Sequence, residues 1–485
     1  MSKKIIGRER EIKKLDQILS SKEAEFLAVY GRRRVGKTFL IREYFSEATI
    51  FVEVVGVKDA SMQVQLENFS DALSRVLFGE VPVKIPSDWK EAFSMFTKAL
   101  EKQGNKKIVL FLDELPWLAT KKSNCVQMID YFWNAYWSKC PNLILIACGS
   151  AASWMLDHLI HAKGGLYNRL TKRILLEPFS LRETEEFLLN RSVRMSRKQI
   201  IELYMAVGGI PYYLKEVKKG QSATQAIDEL CFTKSGVLYE EFTNLFRALF
   251  DQVDANLKIV SEIVKGGNQL SREKLIEAMG GSSGGRINQR LHELEASGFI
   301  RCFIPYGKKK RDRYFRIIDE YTLFYLKWIR PLAVSGTFAG KGAYWQKIVK
   351  TPAKLSWAGY AFESICIKHI DQISSALGFS NIATVAGTWR YLPRKGAKDV
   401  GTQIDLLFDR SDGLITLCEI KFWDQAFTID KKYAKNLLMK MEIFEKHFGT
   451  NKQIEMAFIS TNGIKKNIWS EDLIQHDITL ESLFL

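Results

Sequence analysis

The segment AVYGRRRVGKT carries Gly31, Gly36, Lys37 and Thr38 at the spacing GxxxxGK[ST], directly after an apolar run and directly before the helix-compatible FLIREYF. The chemistry of that spacing is phosphate binding. Glycines let main-chain N–H groups close around phosphate oxygens, a lysine neutralises their charge, and a threonine hydroxyl ligates Mg2+. Arg32, Arg33, Arg34, Val35 and Phe39 complete the stretch that would line a nucleotide. A second run, IVLFLDE, is an apolar strand ending in Asp113 and Glu114. At the C-terminal edge of a parallel sheet, such a pair holds the Mg2+ shell through its aspartate and orients or activates the attacking water through its glutamate. Alone, an acidic pair ending a strand is more often a solvated loop. With the phosphate loop upstream, the two motifs point to an ATPase with ATP and Mg2+ as cofactors.

A third group lies near the C-terminus, where TQIDLLFD, the turn RSDG and LITLCEIKF read as a β-hairpin. Residues two apart share a face of a strand, so Glu419 and Lys421 point together and Cys418 and Ile420 point the other way. If Ser411 to Gly413 close the hairpin, the register sets Asp405 opposite Glu419. Asp405, Glu419 and the Ile420 carbonyl can then bind Mg2+ while Lys421 positions a water for phosphodiester attack. The same residues also make an exposed cross-strand ion pair, and the motif alone leaves both readings open.

The elements that must hold these groups follow from hydropathy. Short apolar runs at Glu25 to Tyr30, Ile50 to Val55, Ile108 to Leu112 and Leu143 to Cys148 alternate with helical patterns, which predicts a parallel sheet in an α/β domain. This ATPase core is expected over 1–179, with a helical lid over 180–252. Three helical stretches (Asn256 to Val264, Ser271 to Met279, Gly285 to Ser297) precede two β-like runs around GKKKRDR, which predicts a winged helix over 253–335. Ile287, Leu291, Leu294 and Phe299 would face its core. Arg286, Asn288, Gln289 and Arg290 would be exposed to a major groove, with Lys308 to Arg313 as the wing. Such modules also serve as levers or packing elements, and both uses stay open. Residues 335 to 342 are glycine-rich and read as a linker. The last block, 343–485, begins with helices, passes through the hairpin, and ends in a helix over Ile429 to Phe448 and a strand over Glu455 to Ser460.

With 485 residues the chain is too long for one core, and 46% hydrophobic and 26% charged residues exclude a disordered chain. A formal charge of +16 favours a polyanionic partner, DNA being the natural candidate. The seven cysteines form no CxxC pair, which argues against a disulfide framework or zinc ribbon. No apolar run is long enough to span a bilayer, and a cytoplasmic location is expected. Oxidoreductase chemistry lacks its GxGxxG turn.

The box IIGREREI (Gly7, Arg8, Glu9), the phosphate loop, the DE pair, the strand LILIACGS and GGIPYYL together resemble the prokaryotic, archaeal-type ATPases of the STAND branch of AAA-like NTPases, over about residues 5 to 250. The resemblance implies that Gly7 and Arg8 lie near the adenine, that Ser150 senses the γ-phosphate, and that Gly209 and Pro211 contact nucleotide. It further implies a basic residue after the sensor strand. LYNRL supplies Arg169 as an arginine finger, with Arg173 close by. Serine stands where threonine or asparagine is more usual, which points to slow turnover rather than none.

Asp405 and the ExK of the next strand, after a helix bearing Glu363 in WAGYAFESICIKHI, resemble the PD-(D/E)XK restriction-endonuclease-like domain and the tail of unknown function that often follows these ATPases. That resemblance implies metal binding by Glu363, Asp405 and Glu419. No Gln-containing helix motif of the RecB-like kind follows, and Lys431, Lys432, Lys435 and Lys440 are expected to track phosphates instead. The expected protein is an ATP-controlled DNA-processing enzyme. Its rival is a STAND-type regulatory switch or scaffold with a silent tail, and a nucleotide-dependent homo-oligomer is compatible with either.

Overall fold

The computed structural model describes residues 5–120, 122–161, 165–281, 284–309, 311–335, 343–393 and 399–485. Nearly all of the predicted linker, 336–342, and Lys310 of the predicted wing lie outside the described residues. The chain divides into two compact units, one of residues 1–178 with 210–212 and 289–298, the other of the remainder.

The first unit is an α/β sandwich. Strands β1 (Glu25–Tyr30), β2 (Ile50–Val55), β3 (Ile108–Asp113), β4 (Leu143–Gly149) and β5 (Lys172–Leu175) form a wholly parallel sheet in the order β2-β3-β4-β1-β5. Every residue of β3 and β4 is buried, as helices on both faces of a parallel sheet require. The helices Lys37–Phe45, Met62–Leu77, Trp89–Glu101 and Cys125–Ala135 supply the crossovers. Phe93, Phe132 and Trp137 pack edge-on or tilted at 5.2 to 5.8 Å, and the Trp137 Nε1–H is satisfied by Thr97 Oγ1 at 2.9 Å. A wet group inside this cluster would be costly without that partner. The strand β5 has a single fully buried residue and escapes apolar patterning.

The second unit opens with helices Leu181–Asn190, Arg197–Val207, Ala223–Phe232 and Glu241–Leu249. Ser180 starts the first of these with a capping box, its side chain accepting from Glu183 N while the Glu183 carboxylate accepts from Ser180 N. There follow helix Val253–Lys265, strand β6 (Gln269–Ser271), helices Arg272–Ala278 and Gly284–Ala296, the latter counting with the first unit from Gln289 on, and strands β7 (Ile300–Phe303) and β8 (Tyr314–Ile317). The three strands pair antiparallel in the order β6-β8-β7. Ile287, Leu291, Leu294 and Phe299 are buried and Arg286, Asn288 and Gln289 exposed, as the helical spacing predicts; Arg290 is partly buried instead.

The C-terminal part has helix Pro352–Lys368, strands β9 (Thr384–Tyr391), β10 (Thr402–Arg410) and β11 (Leu414–Lys421), helix Lys431–Phe448, and strands β12 (Gln453–Ser460) and β13 (His476–Ile478). The sheet order is β13-β12-β11-β10-β9, antiparallel from β9 to β11 and parallel from β11 to β13. Leu406 pairs with Cys418 and Asp409 with Ile415, the register that a three-residue loop at Ser411 to Gly413 dictates.

His369 ties this part to the start of its unit. The Leu181 N–H donates to His369 Nε2 at 3.1 Å, and His369 Nδ1 lies 2.8 Å from the Ile365 carbonyl, so the neutral Nδ1–H tautomer satisfies both contacts. Burial pushes its pKa down to about 4. A depressed histidine must gain its proton on unfolding, so its stabilising effect is complete above the ordinary pKa near 6.5 and lost as pH falls from there toward 4. Thermal denaturation of the full chain is expected to show a loss of up to about 3 kcal/mol over that window, and His369→Gln to flatten it.

Candidate functional site

Because β4 lies between β1 and β3, the C-terminal ends of these three strands meet at one sheet edge. The loop leaving β1 turns through positive φ at Gly31 (135°), Arg34 (72°) and Gly36 (94°) before the helix Lys37–Phe45. A Cβ on Gly31 would collide with the Leu176 carbonyl oxygen, so this close approach admits only glycine. At Gly36 a Cβ would meet nothing within 4 Å. The loop therefore faces open space with a helix N-terminus behind it, a setting that favours anions.

Lys37 is only 6% exposed, and its Nζ donates to the carbonyls of Gly31 and Arg32 at 3.0 Å each. Burial lowers its pKa, and the carboxylates of Glu114 and Asp113 act against that shift. Arg8 braces the loop from outside. Its Nη1 donates to the Glu177 carbonyl at 2.7 Å and its Nη2 to the Val35 carbonyl at 3.1 Å. Arg34 stacks over the Tyr212 ring at 4.1 Å, which brings the segment bearing Pro211 to the loop.

Asp113, at the end of β3, accepts from Thr38 Oγ1 at 2.8 Å. Burial raises its pKa, while the Thr38 hydroxyl lowers it. Glu114 has φ 52° and turns toward β4, where its Oε2 accepts from both the N–H and the hydroxyl of Ser150 at 2.9 Å. Thr38, Asp113, Glu114 and Ser150 thus form one connected polar chain beside Lys37. A threonine hydroxyl next to a carboxylate is the hard-oxygen pair that Mg2+ takes when substrate phosphates and waters supply its other ligands, so these residues fit the ion.

The remaining predicted positions stand outside this polar chain. Phe39 is exposed, Arg33 partly buried and Arg169 exposed on the surface. Gly209 packs against the Phe179 backbone, where any Cβ would clash.

In the C-terminal sheet, β10 and β11 bring Asp405, Glu419 and Lys421 together. Asp405 is 8% and Glu419 3% exposed. Asp405 Oδ2 accepts from the Ile420 N–H at 3.3 Å, and burial and the Glu419 charge raise its pKa. Glu419 accepts from Lys421 Nζ at 2.9 Å, Lys440 Nζ at 2.6 Å and Tyr433 Oη at 2.7 Å. Glu363 stands on the neighbouring helix, its carboxyl pushed up to about 8 by burial and by Asp405, with Arg316 pulling the other way.

The donor chemistry of Asp405 and Glu363, two destabilised carboxylates, fits a divalent cation. The expected three-carboxylate cage is not preformed: among the described residues no three such side chains stand close enough to hold an ion. Glu419 is turned to its lysines and tyrosine instead. Lys440, expected to track phosphates, is one of those partners, whereas Lys431, Lys432 and Lys435 are exposed. Tyr433 was missed from sequence, and Lys440 was read there in another role; they are seven apart on one helix and so share a face. Arg316 was missed as well, and its signal was a charged residue between buried Phe315 and Ile317.

The first unit's sheet order, loop and carboxylate pair are those expected of a P-loop ATPase domain. Residues 5–217 match the family model of the ATPase domain predominantly from Archaea. An uncharacterized protein of Methanocaldococcus jannaschii is 25% identical over 462 residues, spanning 93% of this chain and 96% of that protein. Among solved structures, the Walker-type ATPase of Pyrococcus abyssi is similar at a TM-score of 0.47 and 18% identity, over 67% of this chain and 96% of that one. The ORC2 protein of Aeropyrum pernix is similar at 0.42 and 13% identity, over 69% and 96%. Among the described residues no helix is long and apolar enough to cross a membrane.

Proposed function

We propose that the chain is an ATP-controlled DNA-processing enzyme in which nucleotide state at the P-loop governs a phosphodiester-cleaving centre in the C-terminal sheet. The observation that carries this reading is the Asp405, Glu419 and Lys421 set, two buried carboxylates beside a half-buried lysine, on a hairpin whose order of helix, three antiparallel strands, helix and parallel strand resembles the PD-(D/E)XK core. Such a buried polar set has little use in a purely structural hairpin, where apolar residues would pack as well. Lys37 would grip the phosphates, Thr38 and Asp113 hold Mg2+, Glu114 orient the water and Ser150 sense the γ-phosphate. Gly7, Arg8 and Pro211 would border the nucleotide, and Arg169 would need a moving segment or a second subunit to act as a finger. Between them, the helix and strand order of 253–317 is read as a winged helix that carries DNA.

A divalent cation at Asp405 and Glu363 would polarise the scissile phosphate. The chain's own part is to aim Lys421 at the attacking water and to hold Asp405 against the Ile420 amide.

One observation favours a second reading, a STAND-type switch with a silent tail: Glu419 is already fully engaged by Lys421, Lys440 and Tyr433. Plasmid incubated with the full chain and Mg2+, with and without ATP, decides between them. Nicking that disappears in Lys421→Ala is expected; equal nicking by both proteins, or none under any condition, leaves the switch.

A further inference from the structure

Arg316 sits on β8 at 8% exposure, and its Nη2 donates to Gln269 Oε1 at 3.2 Å while the guanidinium lies 5.0 Å over the Phe303 ring. These contacts fix a planar donor group and use few of its N–H bonds. Among the described residues no carboxylate closes an ion pair with it, although Glu363 and Asp405 act on it through space. Arg390, on β9, is likewise without an ion-pair partner among the described residues.

Both arginines line one pocket of about 120 Å3, together with Glu363, Asn268, Gln269 and Gln403. The Gln269 and Gln403 side chains hold each other at 3.3 Å. Asn268 is 7% exposed, and its Oδ1 is buried with no partner among the described residues. The volume is well below the ~300 Å3 at which pockets for whole small molecules begin. What fits is therefore a small polar group, and two guanidiniums select an anion over a cation. Glu363 shares this pocket and feels the Asp405 charge, so the pocket borders the hairpin carboxylates.

We infer that this pocket is a phosphodiester subsite, in which Arg316 from the β6-β8-β7 segment and Arg390 from the C-terminal sheet grip one phosphate of a nucleic-acid strand. The cleavage centre would then be composite, built from two segments of the chain. That use rests on the cleavage reading above; the grip does not, since it can be measured without metal.

Fluorescence anisotropy with labelled single-stranded and duplex oligonucleotides, in EDTA and over a salt series, tests it on the full chain. Arg390→Ala is expected to weaken binding about tenfold and to reduce the salt dependence by about one phosphate contact. Arg316→Lys keeps the charge, so it should weaken binding about as much with the salt dependence unchanged, through loss of the planar fork. Lys347→Ala, an exposed lysine outside the pocket, should bind as the native chain does. Equal affinity in all four proteins overturns the inference. So does thermal stabilisation by inorganic phosphate that Arg390→Ala abolishes while strand affinity stays unchanged, because the pocket would then serve a free phosphate. Pocket-dependent binding without any nicking in Mg2+ supports the subsite and removes only the cleavage reading.

Discussion

Replacing Lys37 with alanine is expected to abolish the heat of Mg-ATP binding and to lower ATP hydrolysis by about a thousandfold. The argument is local. Lys37 Nζ is held at 3.0 Å from two loop carbonyls in a buried position, so its charge is already out of water before any ligand arrives. A triphosphate entering the open space before Gly36 meets a cation that no longer has to shed a hydration shell, in surroundings where Coulomb attraction is several times stronger than in solvent. Alanine removes that attraction and leaves the Gly31 and Arg32 carbonyls without their donor. The loop should loosen as well, which a thermal-denaturation control on the apo protein would register as a small shift. Lys37→Arg keeps the charge on a longer, planar group and should bind weakly without turning over. Titration calorimetry and phosphate release measure both consequences, and identical heats for the native chain and Lys37→Ala would remove the nucleotide assignment.

That site was readable because its parts are contiguous or end apolar strands. Glycines at two fixed offsets, a lysine and a threonine fall within eight residues, and β3 and β4 are runs buried on both faces, so their ends are visible as the first polar residues: Asp113 and Ser150. The hairpin was readable for another reason. Its loop length fixes a register, and register places Asp405 against Glu419 without further information. What could not be read is which way a side chain turns when several partners compete. Whether Glu419 faces a cation beside Asp405 or the lysines behind it depends on Tyr433 and Lys440, supplied by a helix that follows the hairpin. The strand β9 escaped because only Trp389 in it is fully buried, leaving no period to detect. Arg316 and Arg390 meet only through tertiary packing.

Glu419→Gln should destabilise the C-terminal part by about 3–5 kcal/mol, the cost of breaking a buried ion pair by removing one partner. Lys421 and Lys440 both end on this carboxylate at 2.9 and 2.6 Å, and it is 3% exposed. A neutral amide would leave two ammonium groups with only Asp405 and Glu363 near them, carboxylates that burial itself pushes toward the neutral form, and its own NH2 would face donors. The titration behaviour agrees from both sides of the pair. Burial pushes the Glu419 carboxyl up, yet Lys421 and Lys440 bring it below its ordinary value, and Glu419 raises Lys421 against the effect of burial. Since the folded pKa lies below the unfolded one near 4.3, the stabilisation is present above that pH and disappears as pH falls through the depressed folded value. The native chain and Glu419→Gln should therefore differ by roughly 10 °C in the midpoint of the affected transition at neutral pH and converge in acid. Adding Lys440→Met to Glu419→Gln should recover part of the loss, because it removes one of the stranded charges, and the double-mutant cycle isolates that coupling. The same geometry fixes the functional expectation: a cation can recruit Glu419 only by displacing Lys421 or Lys440, so nicking by the native chain should need higher Mg2+ than nicking by Lys440→Met. Equal midpoints for the native chain and Glu419→Gln at neutral pH would mean that the carboxylate bears no buried charge, and the competition between lysine and metal would fall with it.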